Sequence, residues 1–499
     1  MLRNTLGRIR KAEISREEIA VTVSGIVSMG LEILAGRVLA PEFGSTIYTW
    51  GSIIGVFMLA LSLGYHFGGK KAHKIGLEHL ETLLVYTSIY TLLLIFLGDR
   101  LITVFSQLPI SPKYGAILPL AVLFGPPTYF LGYISPYAAQ LSSKDTKGEA
   151  SGHFYAIGTA GSILGAFGTT FLLVPYLQVD HIYLFFSAVA LLPVLRPSLR
   201  EPRNYYLLVV LAIGLLMSSA APVSGSTVYQ ESTPYQELRV ADDDGVRTLY
   251  LDEQPQSATY INGTDGYPWD YLDYFHMPFL MRDDVDRVLF IGGGGFTGPQ
   301  EFEEKNITVD AVELDPDVVE TAKEYFNLSE SENLNVHVMD GREYLEQTDK
   351  EYDVIYVDAY RKAQVPFHLT TRQFMELAHQ KTDEDGVVVS NVISASSGPG
   401  SRFARSQYRT MGKVFNSTYF YPTRNTSFAQ NIELVASKGP DRSESYLREQ
   451  NRNYSGKNLS EEIGKRIDPE TEDVPILRDD YAPVDRLLDP LVGRKYVVD

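Results

Sequence analysis

The sequence predicts a multi-pass α-helical membrane domain of about seven helices, then a small β-meander, then an α/β domain with a parallel, doubly wound sheet. Three observations lead there. Apolar runs fill most of residues 19–221. An apolar strand runs straight into four glycines, Gly292, Gly293, Gly294 and Gly295. Acidic residues then close one later apolar strand after another.

The apolar runs come first in the chain. They lie near 19–40, 48–68, 82–98, 115–135, 152–175, 180–195 and 204–221. Each reaches or approaches the ~20 residues that carry a helix across a bilayer. The third, sixth and seventh are short. The first run is too long for a cleavable leader and is followed at once by others. Loop charge sets the orientation. Thirteen Lys and Arg residues (Arg3, Arg8, Arg10, Lys11, Arg16; Lys70, Lys71, Lys74; Lys144, Lys147; Arg196, Arg200, Arg203) alternate with loops holding two, Arg100 and Lys113. Cationic loops stay in the cytoplasm. The N-terminal segment, 1–18, is therefore expected inside, and seven crossings put the soluble domain outside the cell. Seven Asn-X-Ser/Thr sites, at Asn262, Asn306, Asn327, Asn416, Asn425, Asn453 and Asn458, are compatible with that.

Glu32 and Arg37 lie inside the first run. Ionisable groups at membrane depth are costly and face protein or a polar cavity. Either a structural ion pair or a functional polar site is consistent with them. His66 and His153 border apolar runs and read as structural. Gly158, Gly161, Gly165 and Gly168 form a stripe on the fifth run, the chemistry of closely packed helices.

The net charge of −18 comes mainly from the second half. Such a surface does not attract nucleic acid by bulk charge. It fits plain solubility or a high-salt environment. Cysteine is absent, which excludes disulfides, thiolate metal sites and a cysteine nucleophile. His and carboxylates fall in no ligand-like spacing, so no metal is expected.

After a joint near 222–232, two short strands, 235–240 and 247–252, flank an Asp-Asp-Asp-Gly turn and open the meander of 222–282. The α/β domain, 283–440, follows. Its strands begin at Val288, Thr308, Asn335, Tyr352 and Gly386, and Glu313, Asp340 and Asp358 sit at strand ends. Ligands of such sheets bind beyond the carboxyl ends of the strands. Gly292, Gly293, Gly294, Gly295, Glu313, Asp340 and Asp358 should thus meet at one crevice, a Rossmann-type arrangement of the class I methyltransferase kind. Glycines admit a ligand close to the backbone. A carboxylate after the second strand suits ribose hydroxyls, and a later Asp suits an exocyclic amine. Residues 441–499 are charged and turn-rich, and loosely packed surface is expected there.

Four stretches carry a family resemblance: Val288 to Gly295, Val312-Glu-Leu-Asp-Pro, Met339-Asp-Gly-Arg-Glu-Tyr-Leu and Tyr352-Asp-Val-Ile-Tyr-Val-Asp. They resemble spermidine synthases, the polyamine aminopropyltransferases. The meander, with Leu251-Asp and Gln256, looks like that family's N-terminal β-domain. The stretch from Glu32 to Ser52 and the late Asp479-Asp-Tyr-Ala-Pro-Val resemble fused transmembrane/spermidine-synthase-like proteins. The resemblance implies a transferase with Gly292, Gly293, Gly294, Gly295, Gln256, Glu313 and Asp340 toward its donor and Asp358 at the reaction centre.

Two departures stand out. The family's Gly-Gly-Gly-Asp-Gly-Gly loop is here Gly-Gly-Gly-Gly-Phe-Thr-Gly. The family's proton-accepting Asp is replaced by Arg361. A cation there is no base at neutral pH and repels a diamine. Tyr360, Arg361 and Lys362 would suit an anion, and His368 is a candidate replacement base. The expected activity is therefore a membrane-bound group transferase acting outside the cell on a lipid, lipid-linked or lipoprotein substrate. The alternatives are a polyamine aminopropyltransferase using decarboxylated S-adenosylmethionine and a non-catalytic ligand-binding membrane protein. No cofactor is fixed by the residues. An S-adenosylmethionine-type ligand is expected only if the domain is cytoplasmic. Membrane lipids are the expected partners, and nucleic acid is not.

Overall fold

The computed structural model describes residues 15–491 apart from 45, 75, 107, 109, 111, 143–145, 196–226, 234, 253, 262–267, 360–364 and 425. The chain forms two compact units, Met1–Pro222 and Val223–Asp499.

In the first unit, α1 (Arg16–Phe43) starts at a capping box. The Glu18 N–H donates to Ser15 Oγ at 3.2 Å, and the Ser15 N–H donates to Glu18 Oε2 at 2.8 Å. These bonds satisfy amides that the first helical turn leaves open. Three further helices are long and apolar enough to cross a membrane: α2 (Ile47–Lys71), α3 (Leu77–Ser106) and α6, whose apolar stretch is Gly148–Leu173. Between them α4 (Lys113–Leu123) and α5 (Gly125–Leu141) meet at a bend of 56°. Pro126 and Pro127 follow that break, and proline cannot donate to a preceding turn. The described residues thus carry four helices of that length and composition, or five with the bent pair counted as one, against the seven that hydropathy suggests. The expected sixth is the shorter α7, Val179–Val194, and the expected seventh, 204–221, lies outside the described residues. An outside placement of the second unit rests on seven crossings, and the described helices do not supply them.

The glycine stripe packs closely, as its spacing implies. A methyl at Gly161 would strike the Thr22 carbonyl, and one at Gly165 the Ile26 carbonyl. The reverse holds from Gly25 to the Gly158 carbonyl. The α1 and α6 backbones therefore nearly touch. Gly168 has open space around it and takes no part. His153 is tied to Glu18 at 2.6 Å, a structural role.

The second unit opens with a four-stranded antiparallel meander in the order β1 (Thr227–Ser232), β2 (Glu237–Asp243), β3 (Val246–Leu251), β4 (Gln254–Tyr260). Asp244 and Gly245 turn β2 into β3 with positive φ of 45° and 82°, the conformation that tight hairpins demand. A 3₁₀ segment, Asp270–Leu280, leads to the main sheet. Its strands are β5 (Arg287–Ile291), β6 (Thr308–Glu313), β7 (Leu334–Val338), β8 (Tyr352–Val357), β9 (Thr382–Ser394), β10 (Ser417–Pro422) and β11 (Gln430–Ser437). Their spatial order is β10-β11-β9-β8-β5-β6-β7, parallel from β9 to β7. The edge pair β10–β11 is antiparallel, a feature absent from the alternating sequence pattern. Helices α8 (Thr297–Glu304), α9 (Pro316–Tyr325), α10 (Gly341–Gln347), α11 (Arg372–Gln380) and α12 (Arg402–Met411) are spaced between the strands. One face of the sheet is aromatic, with Phe275, Phe290, Phe302 and Tyr356 in mutual contact.

The tail corrects another expectation. Leu447, Leu459, Ile463, Leu477, Leu487 and Leu488 are buried, so the segment after 440 packs into the unit rather than lying loosely on it. Its apolar residues are sparse but regularly inward, a pattern that net composition hides.

Candidate functional site

The carboxyl ends of β8, β5, β6 and β7 lie side by side, and the predicted site residues follow them. Ile291 ends β5 and accepts the Asp358 N–H at 2.8 Å, which fixes the β8 end beside the glycine turn. Gly292 has φ 100°, and a Cβ there would strike the Asp358 carbonyl. Glycine is needed at this position by both backbone angle and space. The Gly293 N–H donates to Glu313 Oε2 at 2.9 Å, and the Asp315 N–H donates to Glu313 Oε1 at 3.0 Å. Glu313 thus braces the turn and keeps lone pairs for a ligand hydroxyl.

The second half of the turn faces the meander. Gly294 stands at φ 50°, and a Cβ on it would come within 2.4 Å of Ser257 Oγ. The same Oγ accepts the Gly295 N–H at 2.8 Å. Gly295 is thus buried against Ser257, while Gly292, Gly293 and Gly294 are half-buried. Phe296 follows at φ 56° with its ring against Gly293, fully buried. The residue before it, Gly295, stands where the family resemblance implies an Asp.

The meander residue that bonds the glycine loop is Ser257, next in sequence to Gln256, the residue expected toward the donor. Pairing runs Leu249 to Ser257 but Tyr250 to Pro255, so Gln256 is the extra residue of a bulge and its neighbour reaches the loop. Asp315, buried at the start of α9, accepts from Thr233 Oγ1 at 2.7 Å and Gln236 Nε2 at 3.0 Å, which docks the meander on the sheet.

Asp340 caps α10. Its Oδ1 accepts the Arg342 and Glu343 N–H groups at 2.9 and 3.1 Å. Its Oδ2 lies 2.9 Å from His368 Nε2. Burial would raise the Asp340 carboxyl, but the Glu343 N–H and His368 more than offset that and hold it below the ordinary carboxylate range. Two residues that the sequence presents separately are thus one dyad.

Asp358 differs. Asn391 Nδ2 donates to its Oδ1 at 2.8 Å. Burial pushes its carboxyl up to about 6, against the lowering effect of that bond. A small cavity of about 20 Å³, lined by Ser257, Tyr271, Phe275, Gly292, Gly293 and Asp358, lies beside it. Asn391 is invisible to sequence reading because it sits inside the buried strand β9, whose Val-Val-Val-Ser-Asn run shows only burial.

The glycine turn, Glu313, Asp340 and Asp358 therefore share one rim, with Ser257 of the meander against Gly295. Tyr360, Arg361 and Lys362 lie outside the described residues. Glu32 and Arg37 lie in the other unit, both half-buried in α1.

Residues 273–430 match the model of the spermine/spermidine synthase domain. The polyamine aminopropyltransferase of Vibrio vulnificus is 30% identical over 203 residues, covering 38% of this chain and 67% of that protein. The chain belongs to the spermidine synthase-like superfamily. Two further relatives are similar over less of their length. The polyamine aminopropyltransferase of Methanocaldococcus jannaschii is 32% identical over 169 residues, covering 32% of this chain and 56% of its own. The probable polyamine aminopropyl transferase of Bifidobacterium longum is 29% identical over 229 residues, covering 42% and 50% respectively. Several of these curated relatives are thus matched over only about half to two thirds of their own length. Among solved structures, the spermidine synthase of Thermotoga maritima is 21% identical, with a TM-score of 0.40, covering 49% of this chain and 85% of that one.

Proposed function

We propose that the chain is a membrane-bound group transferase in which Asp358 takes the proton of the attacking group. The carrying observation is the Asp358 carboxyl, pushed up to about 6 beside the glycine turn. A base serves best when its pKa lies near the working pH. Asn391 holds one carboxyl oxygen and leaves Oδ2 without a partner among the described residues. As the nucleophile's pair forms the new bond, its proton passes to that oxygen, and the donor's leaving group departs with the pair of the broken bond.

The acceptor in this reading is a lipid, a lipid-linked group or a lipoprotein, reached at the outer membrane face. The four or five apolar spans support a membrane-held substrate. Arg361 and Lys362, next to Asp358 in sequence, suit an anionic group better than a diamine. The loop charges favour the outside placement, with the run at 204–221 counted as a crossing.

A second reading is favoured by the relatives, which are named polyamine aminopropyltransferases. In it the donor is decarboxylated S-adenosylmethionine. Glu313 would hold its ribose and Asp340 its amine, though Asp340 Oδ2 would have to be shared with His368.

Deletion followed by profiling of surface lipids, lipoproteins and polyamines together separates the two. The first reading expects a changed lipid or lipoprotein species, restored by the wild-type chain and not by Asp358→Asn, with polyamine pools intact. Production of a polyamine by the purified full-length protein would overturn it in favour of the second.

A further inference from the structure

A groove of about 580 Å³ lies at the carboxyl end of β9, separate from the small cavity at Asp358, with which it shares no lining residue. Its volume falls within the ~300–1,000 Å³ of small-ligand pockets. Sheets of this kind hold ligands beyond the carboxyl ends of their strands. One wall is the loop 396–401 with the first turn of α12, which carries Arg402 and Arg405. The other is the tail segment 467–473, with Glu470 and Asp473. Pro399, Ile467 and Pro469 add apolar surface to it.

Arg405 ties the two walls together. Its Nε donates to Ser401 Oγ at 3.0 Å and its Nη1 to the Glu470 carbonyl at 2.8 Å. Nη1 and Nη2 also donate to the two Asp473 carboxyl oxygens at 2.5 and 3.0 Å. These bonds hold the groove's width and leave Arg405 little to offer a ligand. Arg402 is different. It is exposed, forms no ion pair among the described residues, and makes one long contact, 3.5 Å from Nη2 to the Asp473 carbonyl. The Asp473 carboxyl is held below the ordinary carboxylate range by Arg405 first and by Arg402 to a lesser degree. Two guanidiniums thus share one carboxylate, and that side of the groove keeps a net positive charge. Glu470 supplies the opposite sign. Its carboxylate is exposed and has no hydrogen-bond or ion-pair partner among the described residues, and neither has Ser397 Oγ.

A simple anion at Arg402 would meet the Glu470 carboxylate of the other wall, and a simple cation at Glu470 would meet Arg402. A ligand that carries both charges finds a partner on each wall. We propose that this groove is a binding subsite for a small zwitterion, its oxyanion on Arg402 and Ser397 and its ammonium on Glu470. A guanidinium fork matches the paired oxygens of a phosphate or carboxylate, and the serine hydroxyl adds a donor. The subsite is independent of which group the transferase moves.

The test uses the full-length chain in detergent and reads its thermal unfolding midpoint. A ligand that binds only the folded state raises the midpoint with concentration. Phosphoethanolamine and β-alanine carry both charges on one molecule, whereas phosphate, acetate and ethanolamine carry one sign each. All five are compared at equal ionic strength, because exposed charges are screened by salt. The expected result is saturable stabilisation by one or both zwitterions beyond that by any of the three single-sign ions. The more effective zwitterion assigns the oxyanion as phosphate or carboxylate. Arg402→Met should raise its half-saturating concentration about tenfold or more, the scale of one lost charge-assisted contact. Glu470→Gln should abolish the zwitterion's advantage, so that the matching anion alone binds as well. Both side chains are exposed, so neither variant opens the core. Equal stabilisation by zwitterions and single-sign ions, or a zwitterion response unchanged in either variant, overturns the proposal.

Discussion

The Nε2 atom of His368 sits 2.9 Å from Asp340 Oδ2, across a gap of 28 residues in sequence. The Asp340 carboxylate so held also caps α10 through two backbone N–H groups. Asp340→Ala should therefore destabilise the second unit by about 1 kcal/mol for the lost cap alone. Asp340→Asn keeps the cap and loses only the charge toward His368. Its denaturation midpoint should fall between those of wild type and Asp340→Ala, and equal loss in both variants would mean the cap contributes nothing. The pH sign follows from the lowered carboxyl. Its contribution is present above the unfolded value near ~4 and fades as pH falls through the lower folded value.

Asp358 gives the opposite sign. Its folded value of about 6 exceeds the unfolded one, so the folded chain holds a proton there that the unfolded chain has released. Stability should fall as pH rises from ~4 to about 6 on this account. Asp358→Asn should flatten that slope in acid-denaturation curves. Transfer activity should rise with pH through about 6 in the wild type and be lost in Asp358→Asn. Asn391→Leu removes the one bond that lowers the carboxyl, so its activity limb should move to higher pH. A limb that stays put would remove Asn391 from the site.

Much of this site is legible in the sequence because each piece is local. An apolar strand followed by glycine, or closed by a carboxylate, marks a strand end, and parallel topology brings strand ends together. Gly292, Glu313, Asp340 and Asp358 can be read that way. Which glycine is covered cannot, because Gly295 is buried against a serine about 40 residues earlier in the chain. Asn391 is hidden for a similar reason. It meets Asp358 through the register of β8 and β9, and strand pairing between distant segments leaves no short-range pattern. That Ser257 reaches the glycine loop depends on a bulge at Gln256, a single-residue slip. Among the described residues four or five helices are long and apolar enough to cross a membrane, against seven apolar runs in the sequence. Hydropathy locates apolar runs, but length and the break before Pro126 decide which of them form full spans.

Asp479, from the late motif, joins the dyad's neighbourhood. Arg342 donates to both its carboxyl oxygens at 2.9 and 2.8 Å, and also to the His368 carbonyl at 3.3 Å. Thr371 Oγ1 adds a bond to Asp479 at 2.6 Å. Exposed pairs contribute about 0–1 kcal/mol, but bidentate geometry within a network belongs at the upper end. A double-mutant cycle on Arg342→Met and Asp479→Asn should give a coupling near ~1 kcal/mol. Arg342→Lys should recover only part of it, because an ammonium cannot make the two parallel bonds. Full recovery would reduce the pair to simple charge attraction.

The first unit offers a contrast between two glycines on one helix. A methyl at Gly161 would meet the Thr22 backbone closer than real side chains come, while at Gly168 nothing lies within 4 Å. Overpacking of this kind typically costs about 1–3 kcal/mol, and backbone atoms cannot rotate away as side chains do. Gly161→Ala should therefore lower the unfolding temperature of the full-length protein in detergent, by pushing α6 off α1. Gly168→Ala should leave it unchanged or raise it, since alanine favours a helix over glycine by up to ~1 kcal/mol. If both substitutions behave alike, the two helices do not approach closely enough for backbone contact, and the stripe is a matter of composition rather than packing.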